Sequence, residues 1–299
     1  MNKITAVILT LNEEKHIERC IHSVQSVAEK ILVVDSFSRD NTIKIARSLG
    51  ARVIQHEFKN HATQLQWALE QCAGDTEWLM RLDADEYLEP ALVDEIRNVS
   101  IPGDISGIYI KRKVFFMGQW IRYGGFYPHI LLRIWRSGTG HVEQRWMDEH
   151  IVLQPGAKSL ILKEHMVDDN QKGITFWINK HNSYASREMI DLLSSKYPLT
   201  KIDTTLYLSE TSQGKTKRIL KEKVYSKLPV GFRAFAYFFY RYFLKAGFLD
   251  GSKGLIWHFM QGFWYRLLVD VKIMEIEARC QGNVEKMKEI LCTEHGLQL

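Results

Sequence analysis

Apolar and polar positions alternate in blocks along the first hundred residues, and each block has a readable period. Ile4 to Leu9 is a short apolar, β-branched run that predicts a strand. From Glu13 to Val27 the pattern is helical, with Ile17, Cys20, Ile21 and Val24 on one face. Ile31 to Val34 is a continuous apolar run, as expected of a strand buried on both faces. A polar turn, Asp35 to Thr42, leads into a helix through Ala46 and Leu49 that stops at Gly50. Arg52–Gln55 predicts a third strand, His61–Cys72 a third helix and Glu77–Leu82 a fourth strand. The order β-α-β-α-β-α-β implies a parallel sheet with right-handed crossovers.

Beyond residue 104 the strands shorten and carry glycine and aromatic punctuation, in GIYIKRKVFFMG, ILLRIWR, HIVL and SLILKEH. From about Thr175 the pattern is helical to the end, with a soft break near 198–216 where Pro, Ser, Thr and Gly gather. The expected organisation is an α/β domain over 1–200 and a mainly helical, basic and aromatic region over 201–299.

Ligands of such sheets bind outside the carboxyl ends of the strands. Thr10-Leu11-Asn12, Asp35-Ser36 and Asp83-Ala84-Asp85 each follow a strand and are expected to converge there. In RLDADEYLEP (81–90), Asp83 and Asp85 have the spacing and hard oxygen donors that suit Mg²⁺ or Mn²⁺. The plainer reading is a solvated loop whose acids favour the next helix N-terminus. That role is expected of Glu86 and Glu89.

Composition narrows the picture. The 299 residues are 45% hydrophobic and 25% charged, ordinary for a globular chain. Four cysteines without a C-x-x-C pair argue against a disulfide framework or structural zinc, and favour a reducing compartment. No uncharged apolar stretch is long enough to span a bilayer, and no signal peptide is recognisable. Charge is uneven: residues 1–100 hold 11 Lys/Arg against 16 Asp/Glu, whereas 211–253 hold 10 against 2.

VILTLNEE (7–14), ILVVDSFSRDNT (31–42) and RLDADE (81–86) together resemble the family 2 inverting glycosyltransferases with the GT-A fold. The wording is nearest to the branch resembling lipopolysaccharide-core β-glucosyltransferases. GARVIQHEFKNHATQ (50–64) and YRYFLKAGFLDGSKGL (240–255) agree with it. The resemblance implies a nucleotide-sugar donor, a UDP-linked hexose, and a lipid-linked or lipopolysaccharide-core glycan acceptor. It places Thr10, Leu11, Asn12, Asp35 and Gln64 at the nucleotide, with Asp83, Ala84 and Asp85 at the ribose, diphosphate and metal. Gln64-Leu65-Gln66 departs from the Q-x-N of many relatives. Asp40 either joins the second loop's site or caps the helix beginning near Asn41.

The resemblance further implies a carboxylate base that deprotonates the acceptor. In RWMDEHIVL (145–153) both Asp148 and Glu149 stand as candidates, Glu149 slightly favoured, against a surface ion pair with Arg145. His165 matches a histidine that would complete the metal or diphosphate site; its alternative is a structural strand-end histidine. Lys180, Tyr184 and Arg187 form either a phosphate-contacting or a solvated helix face. Trp120, Tyr123 and Phe126 serve either an acceptor platform or domain packing.

The basic run 214–229 followed by the aromatic blocks 230–249 and 255–269 reads as helices lying at a membrane interface, with basic chains snorkelling from it. The alternatives are a packed helical subdomain or a homo-oligomer contact. The expected location is the cytoplasmic face of the inner membrane. No nucleic-acid motif accompanies the charge, so a nucleic-acid partner is not expected. A nucleotidyltransferase or a non-catalytic sugar-nucleotide or glycan scaffold are the rival functions; a dinucleotide dehydrogenase is disfavoured because no G-x-G-x-x-G follows the first strand.

Overall fold

The computed structural model describes residues 3–72, 74, 76–143, 150–199 and 231–295. They form two compact units, Met1–Arg122 with Phe126–Gly173, and Tyr123–Gly125 with Ile174–Leu299.

In the first unit the strands are β1 (Ile4–Thr10), β2 (Lys30–Asp35), β3 (Arg52–Gln55), β4 (Trp78–Asp83), β5 (Glu86–Leu88), β6 (Ile105–Phe116), β7 (Gln119–Ile121), β8 (His129–Arg136), β9 (Gly140–Val142), β10 (Ile151–Leu153) and β11 (Lys158–Asp169). The helices are α1 (Ile17–Val24), α2 (Thr42–Ser48), α3 (His61–Glu70) and α4 (Pro90–Asn98). The main sheet runs β3-β2-β1-β4-β8-β6-β11-β5, with β7 beside β6. Its first four strands are parallel; β8 enters antiparallel between β4 and β6, and β6 and β11 pair parallel. This is the expected α/β, GT-A-type architecture with a parallel core.

Alternation along β1 explains why the sheet is covered on both faces. Ile4, Ala6 and Ile8 pack with Ile17, Cys20, Ile21 and Val24 of α1 and Leu92 and Ile96 of α4. Val7 joins Leu32, Val34 and the α3 residues Ala62, Leu65 and Ala68 on the opposite face. Removing both sets from water is the main favourable term for this unit.

Helix α1 starts at Ile17 rather than Glu13. The backbone N–H of Glu13 donates to Thr42 Oγ1 (2.7 Å), and its carboxylate holds His16 Nδ1 (2.7 Å) and Lys172 Nζ (2.6 Å). Glu13 thereby ties the entry of α1 to α2 and to Lys172, while its carbonyl accepts from His16 and Ile17 N–H (both 2.9 Å) in the turn that leads into the helix.

The second unit contains α5 (Ile174–Lys196), α6 (Phe232–Phe239), a π-helical turn (Tyr240–Leu244), a 3₁₀ turn (Gly247–Asp250), α7 (Gly251–His258), a second π-helical turn (Phe259–Trp264), α8 (Tyr265–Cys280) and α9 (Val284–His295). Ala185 of α5 packs on Tyr265 and Val269 of α8, and Glu188 accepts from Tyr265 and Arg266, both at 2.7 Å. A buried polar knot lies at the 3₁₀ turn. Asp250 accepts from Tyr123 N–H (3.0 Å) and lies 3.5 Å from the His258 ring, while Arg241 Nε donates to Gly124 O (3.0 Å). A side chain at Gly124 (φ 71°) or Gly247 would strike the His258 ring, so glycine is required at both.

Burial, reinforced by the Arg241 charge, pushes His258 down to about 4, and burial also takes His181 down to about 4. Both are neutral when folded but take up protons near their ordinary value when unfolded. Their contribution is therefore full above pH 6.5 and is lost as pH falls from there toward 4. We expect the thermal midpoint to drop between pH 7 and pH 5, with His258 contributing about 2 kcal/mol of that loss. Melts of wild type and His258→Gln across this range check it; the variant's curve should be flatter.

Candidate functional site

Strand register brings the sequence-predicted loops together. Thr10 pairs with Asp35 and Leu9 with Asp83, so β1, β2 and β4 end at one level. Strand β1 has β2 on one side and β4 on the other, which makes the β1/β4 boundary the point where the winding reverses.

On the β2 side, Asp35 is fully buried and accepts from Thr10 Oγ1 (3.0 Å), Ser38 N–H (2.8 Å), Ser38 Oγ (2.5 Å) and Gln55 Nε2 (3.3 Å). Asn12, at φ 54°, receives Arg39 N–H on Oδ1 (2.8 Å) and donates its own N–H to Ser38 Oγ (2.7 Å). The left-handed geometry suits Asn, whose short polar side chain bonds locally. Leu11 is 48% exposed. Asp40 accepts from Thr42 N–H (3.0 Å) and Oγ1 and from Glu14 N–H (3.1 Å); these bonds outweigh its partial burial and lower its carboxyl. Its observed bonds are those of a helix-start residue. Gln64 is buried; its Nε2 donates to Ser36 Oγ and to the His56 carbonyl, both at 3.2 Å, and its Oε1 faces His56 Nδ1 at 2.7 Å.

On the β4 side, Asp83 keeps 37% of its side chain exposed, beside Arg81 (3.4 Å) and Arg133 (3.7 Å). Desolvation would raise its carboxyl, but Arg81 and Arg133, helped by His61 and Arg112, outweigh it and hold it well below the usual range. Ala84 is buried. Asp85 accepts from Asn170 Nδ2 (2.9 Å), and its carbonyl receives Asp169 N–H (3.1 Å).

Glu86 corrects the sequence reading. It lies in β5, 1% exposed, and does not start α4. Its Oε2 accepts the Asp83 N–H (3.0 Å), closing the Asp83–Glu86 turn, and its Oε1 takes Arg133 (2.5 Å) and Arg112 (3.1 Å). Burial pushes its carboxyl up, to about 7, against the pull of Arg133 and with the push of Asp83. Glu89 does occupy the position before α4, where it binds Lys113 (2.7 Å).

The sequence reading also missed the loop after β11, whose polar run DDNQKG is its visible signal. Arg19 binds Asp169 (2.7 Å), Gln171 N–H donates to His16 Nε2 (2.8 Å) and Lys172 reaches Glu13. These bonds fix the loop that carries Asn170, the partner of Asp85, and Lys172 N–H donates to Asn170 Oδ1 (3.0 Å).

His165 is not brought to Asp85. On the β5–β11 ladder it faces Glu89, whereas Asp169 faces Asp85; four residues of strand separate them, on the order of 13 Å. Its Nε2 instead meets Tyr127 OH (2.5 Å), with Trp120 edge-on to Tyr127 at 5.0 Å. In α5, Lys180 and Arg187 flank the Tyr184 ring. Asp148 and Glu149 lie outside the described residues.

Among the described residues no group of three or more His, Cys, Asp and Glu side chains closes on a metal position. Two carboxylates nevertheless fit a hard cation whose other ligands are phosphate oxygens and water. Asp85 is part-exposed and oriented by Asn170, and Asp83 is held ionised, so the donor set fits Mg²⁺ or Mn²⁺.

Residues 5–166 match the model of glycosyl transferase family 2, more than half of the chain. An uncharacterized glycosyltransferase of Rickettsia typhi is 40% identical over 99 residues, 33% of each chain. The lipopolysaccharide core biosynthesis glycosyltransferase LpsC of Rhizobium meliloti is 32% identical over 151 residues, 47% of this chain and 53% of that one. These matches span about a third to a half of the relatives' own length. Glucosyl-3-phosphoglycerate synthase of Mycobacterium tuberculosis, solved with Mn²⁺, UDP and glucosyl-3-phosphoglycerate, is 24% identical with TM-score 0.32, covering 38% of this chain and 44% of that one.

Proposed function

The chain belongs to glycosyl transferase family 2 and is a glycosyltransferase, and on that premise we propose that it transfers a hexose from a UDP-linked donor, with inversion, to a lipid-linked or lipopolysaccharide-core glycan. The observation that carries this reading is the convergence of Thr10, Asp35 and Asp83 at the carboxyl ends of adjacent parallel strands. The lipopolysaccharide-core acceptor is suggested by the likeness to LpsC.

In the proposed reaction Glu149 or Asp148 takes the acceptor hydroxyl proton while that oxygen attacks the anomeric carbon. The bond from the anomeric carbon to the diphosphate oxygen breaks, and its electron pair leaves with the nucleoside diphosphate. Asp85 and Asp83 would hold the metal. When bound, Mg²⁺ or Mn²⁺ supplies positive charge that offsets the developing negative charge of the diphosphate. Thr10, Leu11, Asn12, Asp35 and Gln64 shape the nucleotide end; Asp35 does so by locking the loops after β1 and β2 together. We place the protein peripherally at the cytoplasmic face of the inner membrane, where such an acceptor is reached.

A panel of nucleotide sugars tested for thermal stabilisation with and without Mn²⁺ checks the donor. The correct one, at about a hundred times its Kd, should add about 2.7 kcal/mol of stability, with nucleoside diphosphate rather than pyrophosphate released on turnover. Pyrophosphate release would point to nucleotidyl transfer instead.

A further inference from the structure

The sequence reading let the basic residues of the aromatic region snorkel from a membrane interface. Within the second unit they turn inward instead. Arg233 is paired with Asp270, itself 3% exposed; Arg241 is 4% exposed and bonded to Gly124 O; Arg266 binds Glu188. The arginines that interrupt the apolar run are consumed as internal pins, because a guanidinium drawn out of water needs a partner and these find one, while Lys245 stays exposed.

What remains on the surface is almost purely apolar. Of the 14 exposed residues between Phe232 and Phe259, 11 are large hydrophobics and Lys245 is the one charge. Phe232, Phe235, Phe239 and Phe243 recur at three- and four-residue spacing along α6 and the first π-helical turn. Phe238 meets Phe259 at 6.0 Å and Tyr242 meets Phe248 at 6.4 Å, which joins this stripe to Phe248, Leu249 and the α7 side. Exposed apolar side chains this dense mark an interaction site rather than ordinary solvent-facing surface. No helix of the described residues is long and apolar enough to cross a membrane.

We propose that the exposed face of α6, α7 and their connecting turns is a monotopic docking surface that enters one leaflet of an anionic phospholipid bilayer. The proposal rests on the membrane placement inferred above and names the surface responsible. Charge selects the occupant: the sole acid between 231 and 259, Asp250, is buried, whereas Lys245 is exposed. Just upstream, residues 215–227 hold six Lys/Arg against Glu222. An apolar plate preceded in the chain by a basic stretch complements acyl chains beneath anionic headgroups.

Vesicle flotation of the full chain tests this, with phosphatidylethanolamine/phosphatidylglycerol vesicles compared against neutral phosphatidylcholine. Wild type should float with the anionic vesicles. The pairs Phe243→Asp with Leu244→Asp, and Phe248→Ser with Leu249→Ser, should each reduce the partition coefficient at least about tenfold. High salt should weaken but not abolish wild-type binding, since the inserted part is uncharged. Wild-type binding that is unchanged in both pairs overturns the proposal, as does a wild type that stays with the soluble fraction. A dimer on light scattering that the same substitutions dissociate, without flotation, reassigns the face to a second copy of this chain. Donor-dependent thermal stabilisation, measured without vesicles, reports folding of the variants and tests the transferase reading separately.

Discussion

Asp85→Asn should cut sugar transfer by at least about a thousandfold while leaving the melting temperature nearly unchanged. The size follows from what a charged group at a developing diphosphate contributes, about 10²–10³ for a single preorganised electrostatic partner and more when it also holds the cation. The neutral effect on folding follows from the local bonds. The Asp85 carbonyl, which receives Asp169 N–H, is untouched by the change, and an Asn oxygen can still accept from Asn170 Nδ2. Asp83→Asn lacks that separation, because Asp83 balances Arg81 and Arg133 and its loss disturbs the fold as well. The measurement is nucleoside diphosphate release against Mn²⁺ concentration, run beside a thermal melt. Transfer and metal dependence that survive in Asp85→Asn would remove Asp85 from the site.

Local period and strand order carried much of the first unit. Ile4–Leu9, Ile31–Val34 and Arg52–Gln55 needed no partner information to be read as strands, since β-branched runs bounded by polar turns declare themselves. Parallel order then put the carboxyl ends of β1, β2 and β4 on one edge of the sheet, where Thr10 pairs with Asp35. The parts that were not legible depend on distant residues. Glu86 looked like a helix-start acid because its partners, Arg112 and Arg133, stand 26 and 47 positions away on strands that reach it only through the sheet order. Asn170 is 85 positions from Asp85, and the bond exists only because β11 pairs with β5. In the second unit, Arg233 and Arg241 read as interfacial charges from composition, yet Asp270 and the Gly124 carbonyl draw them inward.

Glu86→Ala should destabilise the first unit by about 3–5 kcal/mol, the usual cost of removing one member of a buried ion network. Three separate losses combine. Arg133, 4% exposed, keeps only the 3.7 Å approach to Asp83; Arg112 keeps Asp168 at 3.3 Å and the His129 ring; and the Asp83 N–H loses its acceptor. The last loss reaches the chemistry, because that bond closes the turn holding Asp83 and Asp85 at the strand end. Glu86→Gln separates the effects. Its amide oxygen can still accept one of these bonds, so it should lose less stability than the alanine variant. It removes, however, the part of the negative charge that a carboxyl raised to about 7 still carries at neutral pH, leaving Arg112 and Arg133 in greater excess beside Asp83. Urea unfolding of the three proteins ranks stability, and donor-dependent thermal shift reports the turn. An alanine variant within about 1 kcal/mol of wild type, with unchanged donor stabilisation, would mean that the turn after β4 is shaped by its backbone alone.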